Sequence, residues 1–235
     1  MDKNFVSAII VAAGNSTRMG TGRPKIFEDI LGIPSVVYTL NEFNICDLVN
    51  EIIIVCKEEH RDTIKNLIKE NKISKFKCFA NGGDTRQESV FEGVKCVSED
   101  STHLLVHDAA RILITKDIIE NAVHDSFKEK FSAVGVPIKD TVKLIDDKNF
   151  IIKTIDRSRL FSIQTPQVFE RKFYLKAMEK AIFENKNYTD DCQLIENFGG
   201  KVHFVMGSYS NLKLTTMDDV PIFESILKRR NSKWG

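Results

Sequence analysis

The 235-residue sequence has almost no excess of charge, because 34 Lys and Arg side chains oppose 33 Asp and Glu side chains and the formal net charge is +1. General nucleic-acid binders show a basic excess, so we predict no nucleic-acid partner. A sum of charges still permits a locally basic pocket. The hydrophobic fraction of 42% argues against disorder. A chain of this length buries roughly 70% of its unfolded surface and therefore forms a substantial core.

Cysteine pairs at metal-ligand or redox spacing are also missing. The five cysteines are scattered singly along the chain: Cys46, Cys56, Cys78, Cys96 and Cys192. None forms a C-x-x-C pair and none has zinc-ligand spacing, which excludes the common zinc motifs. An odd, scattered set is typical of buried apolar thiols in a reducing compartment.

Long hydrophobic segments are the third absence. No apolar run approaches the ~20 residues that cross a bilayer. The start, Met1-Asp2-Lys3-Asn4, lacks the positive region of a signal peptide, and the apolar run after it is too short for one. We therefore expect a soluble cytoplasmic protein with no membrane partner.

Short apolar runs alternate with segments of helical spacing. The clearest run, Val6 to Ala13, is nearly all apolar and ends at Gly14, as a strand buried on both faces does. Other runs lie at 52–55, 76–80, 104–106 and 133–136, and apolar residues recur at helical spacing within 36–43, 64–68, 90–97 and 118–123. This alternation predicts an α/β fold with a Rossmann-like, mostly parallel sheet and helices on both faces.

The pattern changes after about Pro137. Segments 141–145 and 151–155 flank a polar turn, which predicts a β-hairpin projecting from the main sheet. Beyond it we predict helices over 171–183, 190–198 and 217–228, a strand over 202–205, and a short late strand around Lys213. No linker or repeat interrupts the sequence. We therefore expect a single domain over 1–235, with a β-arm at about 138–158.

The segment from Ala12 to Lys25 combines three glycines with three cations directly after the first predicted strand. Ligands of open α/β sheets bind at the carboxyl ends of strands, where small residues let backbone N–H groups approach phosphate oxygens. The segment is not a Walker loop, because no Gly-Lys-Ser/Thr follows. Ser16 also breaks the dinucleotide fingerprint. A solvated loop with chance cations is the alternative, and we favour a phosphate-binding loop.

The loop resembles the A-A-G-x-x-x-R-M-G-x-x-x-P-K signature of nucleotidyltransferases that join sugar or polyol phosphates to nucleoside triphosphates. Seven further segments appear in order: Gly82 to Ser89, Val106 to Arg111, Asp140 to Lys143, Asp156-Arg157, Gln164 to Gln167, Thr189 to Asp191 and Asn211 to Thr216. From about Val6 to Leu227 the chain resembles the 2-C-methyl-D-erythritol 4-phosphate cytidylyltransferase family of the non-mevalonate isoprenoid pathway.

The resemblance implies attack by a phosphomonoester oxygen on the α-phosphorus of CTP, with release of pyrophosphate. The nucleophile is already an anion, so positioning and electrostatics carry the catalysis. By match to the family motifs, the implied catalytic residues are Arg18, Lys25, Arg157 and Lys213. Asp108 follows a predicted strand and is the implied contact to Mg²⁺, which prefers few carboxylates plus substrate oxygens. A helix N-cap is the alternative role of Asp108.

The resemblance also implies two binding regions and a dimer. The implied nucleotide-binding residues are Ala12, Ala13, Gly14, Gly83, Asp84 and Ser89, and those for the polyol phosphate are Thr141, Arg157, Asp108 and Lys213. Thr141 and Arg157 are expected to reach across a homodimer interface through the arm. A surface ion pair with Asp156 is the alternative for Arg157. A tight turn with Asp84 or Thr85 as a helix cap is compatible with nucleotide binding.

Three other functions stay open from the sequence alone. Gly207 to Lys213 resembles the ending of ribitol-5-phosphate cytidylyltransferases, which share the fold and the chemistry. A non-catalytic nucleotide-binding protein is less favoured, because Arg18, Lys25, Asp108 and Lys213 are all present. A Rossmann oxidoreductase is disfavoured by the missing fingerprint. His107 is interpreted as a packed histidine, and Asp190 and Asp191 as acids at a helix start.

Overall fold

The computed structural model describes residues 4–14 and 24–231. The strands are β1 (Val6–Val11), β2 (Asp29–Ile30), β3 (Ile33–Pro34), β4 (Glu51–Cys56), β5 (Phe76–Asn81), β6 (His103–Asp108), β7 (Phe131–Pro137), β8 (Lys143–Ile145), β9 (Ile151–Thr154), β10 (Phe161–Glu170) and β11 (His203–Met206). The α-helices are α1 (Ser35–Ile45), α2 (Arg61–Glu70), α3 (Arg86–Val94), α4 (Lys116–Glu129), α5 (Arg171–Phe183), α6 (Asp191–Asn197) and α7 (Val220–Asn231).

Seven strands form the central sheet, in the order β11-β7-β10-β6-β1-β4-β5. All neighbouring pairs are parallel except those of β10, which runs antiparallel to both β6 and β7. The predicted mostly parallel sheet is therefore confirmed. Parallel strands that are covered on both faces have continuous apolar sequences. In agreement with this, every residue of β4 and β6 is buried.

Two hydrophobic cores cover the two faces of the sheet. Alternate residues of β1 point to opposite faces, so Ala8 and Ile10 pack on one side and Ile9 on the other. Helices α1, α2 and α4 contribute to the first core, and α3, α5 and α6 to the second. A third, smaller cluster packs Phe223 and Leu227 of α7 against the loop that follows β6. These layers fix the carboxyl ends of the parallel strands at one edge.

An antiparallel pair, β8 and β9, lies where the sequence predicts a hairpin. Its residues are exposed, and the chain leaves the sheet at the end of β7 and returns at the start of β10. The Ile138 N–H donates to the Leu160 carbonyl at 3.1 Å, which joins the two ends of the excursion. We call residues 138–160 the arm.

The structure corrects the sequence-based predictions at several places. Strand β10 was not predicted, since Pro166 lacks an N–H donor, and a register shift between Ile163 and Gln167 accommodates it. A short β2–β3 ribbon precedes α1. Val97 lies in a turn after the end of α3, and Lys213 lies in a segment without strand pairing. Cys78 and Cys96 are only partly buried, whereas the other three thiols are buried and all five are free.

In the part of the chain that the structure describes, none of the helices has the length and apolar character required to cross a bilayer.

Candidate active site

A pocket of about 580 Å³ lies at the carboxyl ends of β1, β4, β5 and β6. This is the edge at which open α/β sheets bind their ligands. Nine of the residues predicted for the site line it: Ala12, Ala13, Gly14, Lys25, Gly83, Asp84, Ser89, Asp108 and Lys213. Residues far apart in the sequence are thus brought to one cavity of a size suited to small ligands.

The turn after β5 is held rigidly against the loop after β1. A Cβ built on Gly82 would lie 2.4 Å from the Ala13 Cβ, so only glycine permits this approach of the two backbones. The Gly83 N–H donates to the Ser89 hydroxyl at 3.0 Å. Helix α3 then begins with a capping box between Thr85 and Glu88, so Thr85 rather than Asp84 is the cap.

The carboxylate of Asp108 is the electrostatic centre of the pocket. Lys213 Nζ donates to its Oδ2 at 2.6 Å, and Arg86 Nε lies 3.4 Å from its Oδ1. Burial alone would raise the pKa of Asp108, but the positive charges of Arg86 and Lys213 outweigh burial and hold that pKa well below its usual range. Asp108 is therefore ionised. The helix-cap alternative is wrong, because the next helix begins only at Lys116.

The segment that carries Lys213 is anchored between β6 and β10. The Leu214 N–H donates to the Ala110 carbonyl at 2.8 Å, and Asn211 Nδ2 donates to the Thr165 carbonyl at 3.0 Å. Arg111 Nη1 donates to the Asn211 carbonyl at 2.9 Å. The position of Lys213 thus depends in part on β10, the strand that the sequence does not predict.

His107 is a packed histidine, as interpreted from the sequence. Its Nδ1 lies 3.0 Å from the Thr165 hydroxyl, and its ring contacts Phe43 with centroids 5.0 Å apart. Complete burial lowers the pKa of His107 to about 3, so the imidazole is neutral at physiological pH.

Sequence reasoning missed a set of buried polar side chains behind Asp108. Arg86 Nη1 donates to Asp191 Oδ2 at 2.6 Å, and the Tyr174 hydroxyl donates to the other oxygen of Asp191 at 2.6 Å. Asp190 is the N-cap of α6, as interpreted, but Asp191 is more than a helix-start acid. Arg86 stands inside one of the family motifs, but Asp191 lies 105 residues after it and no spacing rule connects the two.

Two of the predicted residues that the structure describes are not in this pocket, and a third lies where the structure gives no description. Arg18 lies outside the described residues. Thr141 and Arg157 are exposed at the arm and do not line the cavity. The Arg157 guanidinium donates to the Lys139 carbonyl. Among the described residues Asp156 bonds Ser158 and forms no ion pair with Arg157, so that alternative for Arg157 is wrong.

The donor set for a metal ion is sparse. Within residues 4–14 and 24–231, no group of three or more His, Cys, Asp or Glu side chains could hold a metal. Asp84 and Asp108 are the acidic side chains that line the pocket, and Asp108 is already paired with two cations. Such a set fits Mg²⁺ held largely by substrate phosphates, which is how this ion commonly binds.

Comparison with known proteins agrees with this geometry. The family model for 2-C-methyl-D-erythritol 4-phosphate cytidylyltransferase matches residues 6–229. A relative of that name from Caldanaerobacter subterraneus subsp. tengcongensis is 42% identical, covering 95% of this chain and 99% of its own. Another relative of that name, from Clostridium botulinum, is 42% identical, and the match covers 97% of this chain and 99% of that relative.

A solved structure shares the whole fold. The crystal structure of 4-diphosphocytidyl-2C-methyl-D-erythritol synthase from Anaerococcus prevotii superposes with a TM-score of 0.85 at 32% identity, covering 96% of this chain and 99% of that one. Sequence and fold therefore agree, and the chain belongs to the 2-C-methyl-D-erythritol 4-phosphate cytidylyltransferase family.

Proposed function

We propose that this chain joins CTP and 2-C-methyl-D-erythritol 4-phosphate to give 4-diphosphocytidyl-2-C-methyl-D-erythritol and pyrophosphate. One observation beyond family membership carries this proposal: Lys25 and Lys213 line the same cavity as the Ala12–Gly14 and Gly83–Ser89 segments. Backbone N–H groups of the two segments can approach a nucleotide. The ammonium groups can neutralise the phosphates of the two substrates, which the reaction brings together. The protein then acts as one nucleotidyltransferase domain over 1–235.

The reaction forms one P–O bond and breaks another. An oxygen of the methylerythritol phosphate attacks the α-phosphorus of CTP, and the bridging oxygen to the β-phosphorus leaves with its electron pair as pyrophosphate. No proton has to be removed from the nucleophile. This agrees with His107 being buried and neutral rather than placed as a base. The protein must instead neutralise charge that builds on the α-phosphate and the leaving group.

Each cation then has a role in this step. Lys25 is proposed to hold the α-phosphate, and Arg18 is assigned to the β- and γ-phosphates by the family motif. Lys213, oriented by Asp108, receives the methylerythritol phosphate. Ala12, Ala13, Gly14, Gly83, Asp84 and Ser89 contact the nucleotide. Thr141 and Arg157 complete the polyol phosphate site from the arm of a second copy.

A divalent cation, Mg²⁺ by its preference for oxygen ligands, is proposed to enter with the CTP phosphates. Asp108 would be its protein carboxylate. When bound, the ion supplies neutralisation of the triphosphate charge.

Homodimer formation through the arm is part of this proposal, and the exposure of apolar side chains there supports it. Five large hydrophobic side chains of the arm are between 45% and 68% exposed: Leu144, Ile145, Phe150, Ile151 and Ile152. A two-stranded hairpin cannot bury both faces by itself, so a second copy is its natural cover.

A paired-substrate assay tests the function. Pyrophosphate release from CTP is measured with 2-C-methyl-D-erythritol 4-phosphate and, in parallel, with ribitol 5-phosphate, each with and without Mg²⁺. We expect release with the methylerythritol compound and Mg²⁺. Turnover with ribitol 5-phosphate alone would overturn the assigned substrate, and release without any divalent metal would overturn the metal requirement.

A further inference from the structure

A row of charges of alternating sign, in which both carboxylates are buried and both cations are partly exposed, extends from behind the pocket to Lys213. It begins at Asp191, continues through Arg86 and Asp108, and ends at the Lys213 ammonium, which lines the cavity. The Asp191 side chain is only 2% exposed, and Tyr174, which donates to it, is fully buried. The four charges alternate in sign and sum to zero.

Stability alone does not explain this arrangement. Removing two charges from water costs as much as their attraction returns, so a buried ion pair is weak evidence for stabilisation. The Arg86 guanidinium also lies between two carboxylates, which is a more specific set of contacts than packing of the side chain alone would need. A planar guanidinium with several donors suits this bridging task, whereas an ammonium does not.

We propose that Arg86 is a positioning residue for Lys213. Asp191 and Tyr174 hold the guanidinium, and the guanidinium engages Oδ1 of Asp108, so that Oδ2 remains the one oxygen for Lys213. Without Arg86 both oxygens of Asp108 would compete for the ammonium and draw it from the cavity. Without Asp191 the guanidinium would move fully onto Asp108 and displace Lys213. This inference rests on the proposed role of Lys213 in binding the methylerythritol phosphate.

The arrangement also joins the two halves of the pocket. Arg86 is the first residue of α3, directly after the Gly83–Thr85 turn on the nucleotide side. Asp108 and Lys213 belong to the opposite side, where the second substrate is proposed to bind. Because the row acts through Lys213, its loss is expected to affect the polyol phosphate rather than CTP.

The variants Asp191→Asn and Tyr174→Phe test this inference. Asp191→Asn keeps the side-chain shape but removes its charge. It should lower kcat/KM for 2-C-methyl-D-erythritol 4-phosphate about tenfold, the typical effect of a lost charged hydrogen bond, while KM for CTP stays within about twofold. Tyr174→Phe should lower the same parameter about threefold. The second variant keeps the test decisive if Asp191→Asn fails to fold.

A matched control lies at the opposite edge of the sheet. Glu51, at the start of β4, is another buried carboxylate, and it accepts hydrogen bonds from Ser7 and Ser98 and pairs with Lys77 at 3.2 Å. Glu51→Gln should lower the unfolding midpoint but leave both KM values and kcat unchanged. If Asp191→Asn behaves as Glu51→Gln does, its role is purely structural and the inference is wrong.

A double variant examines the route through Lys213. In the Lys213→Ala background the further change Asp191→Asn should have almost no effect on kcat/KM, because residues acting through one group are not additive. A full tenfold loss in that background would overturn the inference and leave the proposed function intact. Absence of turnover by the wild-type chain would instead overturn the proposed function and this inference together.

Discussion

At the scale of single residues, Lys25 is held in place by its own backbone. Its carbonyl accepts hydrogen bonds from the Ser35 hydroxyl at 2.7 Å and from the Glu28 N–H at 3.2 Å. The turn Lys25–Phe27 is thereby fixed to the first residue of α1. The side chain of Lys25 lines the pocket. These hydrogen bonds are made by the Lys25 carbonyl, so a substitution of the side chain leaves their acceptor in place.

We predict that Lys25→Ala folds normally but releases pyrophosphate at least about a hundredfold more slowly, since one well-placed charge donor contributes ~3–4 kcal/mol at such sites. The measurements are steady-state kinetics and the thermal unfolding midpoint. The control is Lys65→Ala, which removes an exposed lysine from α2 and should change neither. Activity retained by Lys25→Ala would refute the role given to Lys25.

Burial of His107 makes the stability of the protein depend on pH. The unfolded chain binds a proton at His107 as the pH falls below about 6.5, whereas burial keeps the folded pKa at about 3. The unfolded state therefore binds more protons between these values. Above about pH 6.5 His107 does not reduce the free energy of unfolding. As the pH falls from there towards 3, His107 lowers that free energy by up to ~1.4 kcal/mol per pH unit.

We predict that the unfolding free energy of His107→Gln falls less steeply with decreasing pH than that of the wild type, by up to the ~1.4 kcal/mol per pH unit that one proton contributes. Urea unfolding at several pH values between 7 and 4 measures the effect. His124→Gln alters an exposed histidine and should leave the slope unchanged. Equal slopes for wild type and His107→Gln would contradict the assignment of a neutral buried imidazole.

Residues within one local motif could be predicted from the sequence, and residues joined only by the fold could not. Ala12 to Gly14 and Gly83 to Ser89 are contiguous, so their spacing carried information. Arg86 and Asp191 are 105 positions apart, and nothing local to Asp191 distinguishes it from an ordinary acid in a first helical turn. Their contact follows from the fold, which brings the first residue of α3 beside the first residue of α6.

At the scale of elements, α3 lies unusually close to the sheet. A Cβ built on Gly93 would lie 2.6 Å from the Ile9 Cγ2 and 2.8 Å from the Val55 Cγ2. Both contacts come from central strands that are covered on both faces. Glycine is unfavourable in a helix, so its presence here reflects the need for close packing.

We predict that Gly93→Ala lowers the unfolding free energy by up to about 2 kcal/mol, because an overpacking cost of ~1–3 kcal/mol opposes a gain of ~1 kcal/mol in helix propensity. Urea unfolding measures this change. In a Val55→Ala background, which removes both γ-methyl groups of Val55 including the close Cγ2, the same change should cost less. A stabilising effect of Gly93→Ala on its own would show that the helix can move away from the sheet.

Helices and strands with a regular apolar pattern could be predicted from the sequence, and those with an interrupted pattern could not. Helix α5 was predicted with its observed bounds, because its apolar residues repeat at helical spacing. Strand β10 was missed, since its proline and its register shift break the period of two that identifies a strand. Its place between β6 and β7 is set by contacts with partners far away in the sequence.

At the scale of the whole molecule, the near-zero net charge conceals an uneven distribution. Among the residues that the structure describes, four cations line the pocket: Lys25, Lys57, Arg86 and Lys213. Two carboxylates, Asp84 and Asp108, line it with them. Composition argues against a general affinity for polyanions, but only the fold shows how the charges are placed.

We predict that Phe150→Asp with Ile152→Asp converts a dimer to a monomer, because a charge on the exposed apolar surface of the arm would disfavour its burial. Sedimentation velocity measures the assembly state. Phe183 is 88% exposed on α5, away from the arm, so Phe183→Asp is the matched control and should not change it. A wild-type chain that sediments as a monomer would refute the proposed dimer.

Mixing two inactive variants tests whether the arm serves the neighbouring site. We predict that Lys25→Ala and Arg157→Ala chains, each inactive alone, recover about a quarter of wild-type activity when mixed equally, because one site of each mixed dimer is intact. The measurement is pyrophosphate release after subunit exchange. No recovery, despite exchange, would mean that Arg157 acts on the site of its own chain.

The hydrogen bond between Ile138 and Leu160 bears on how far the length of the arm can change without loss of the central sheet. A segment that leaves and re-enters a sheet at neighbouring points can change in length at little entropic cost, roughly 0.6 kcal/mol for each doubling of a flexible loop. The β7–β10 pair would close equally well over a shorter connection. The arm is therefore a replaceable module, and it can be exchanged or redesigned while the nucleotide half of the pocket keeps its scaffold.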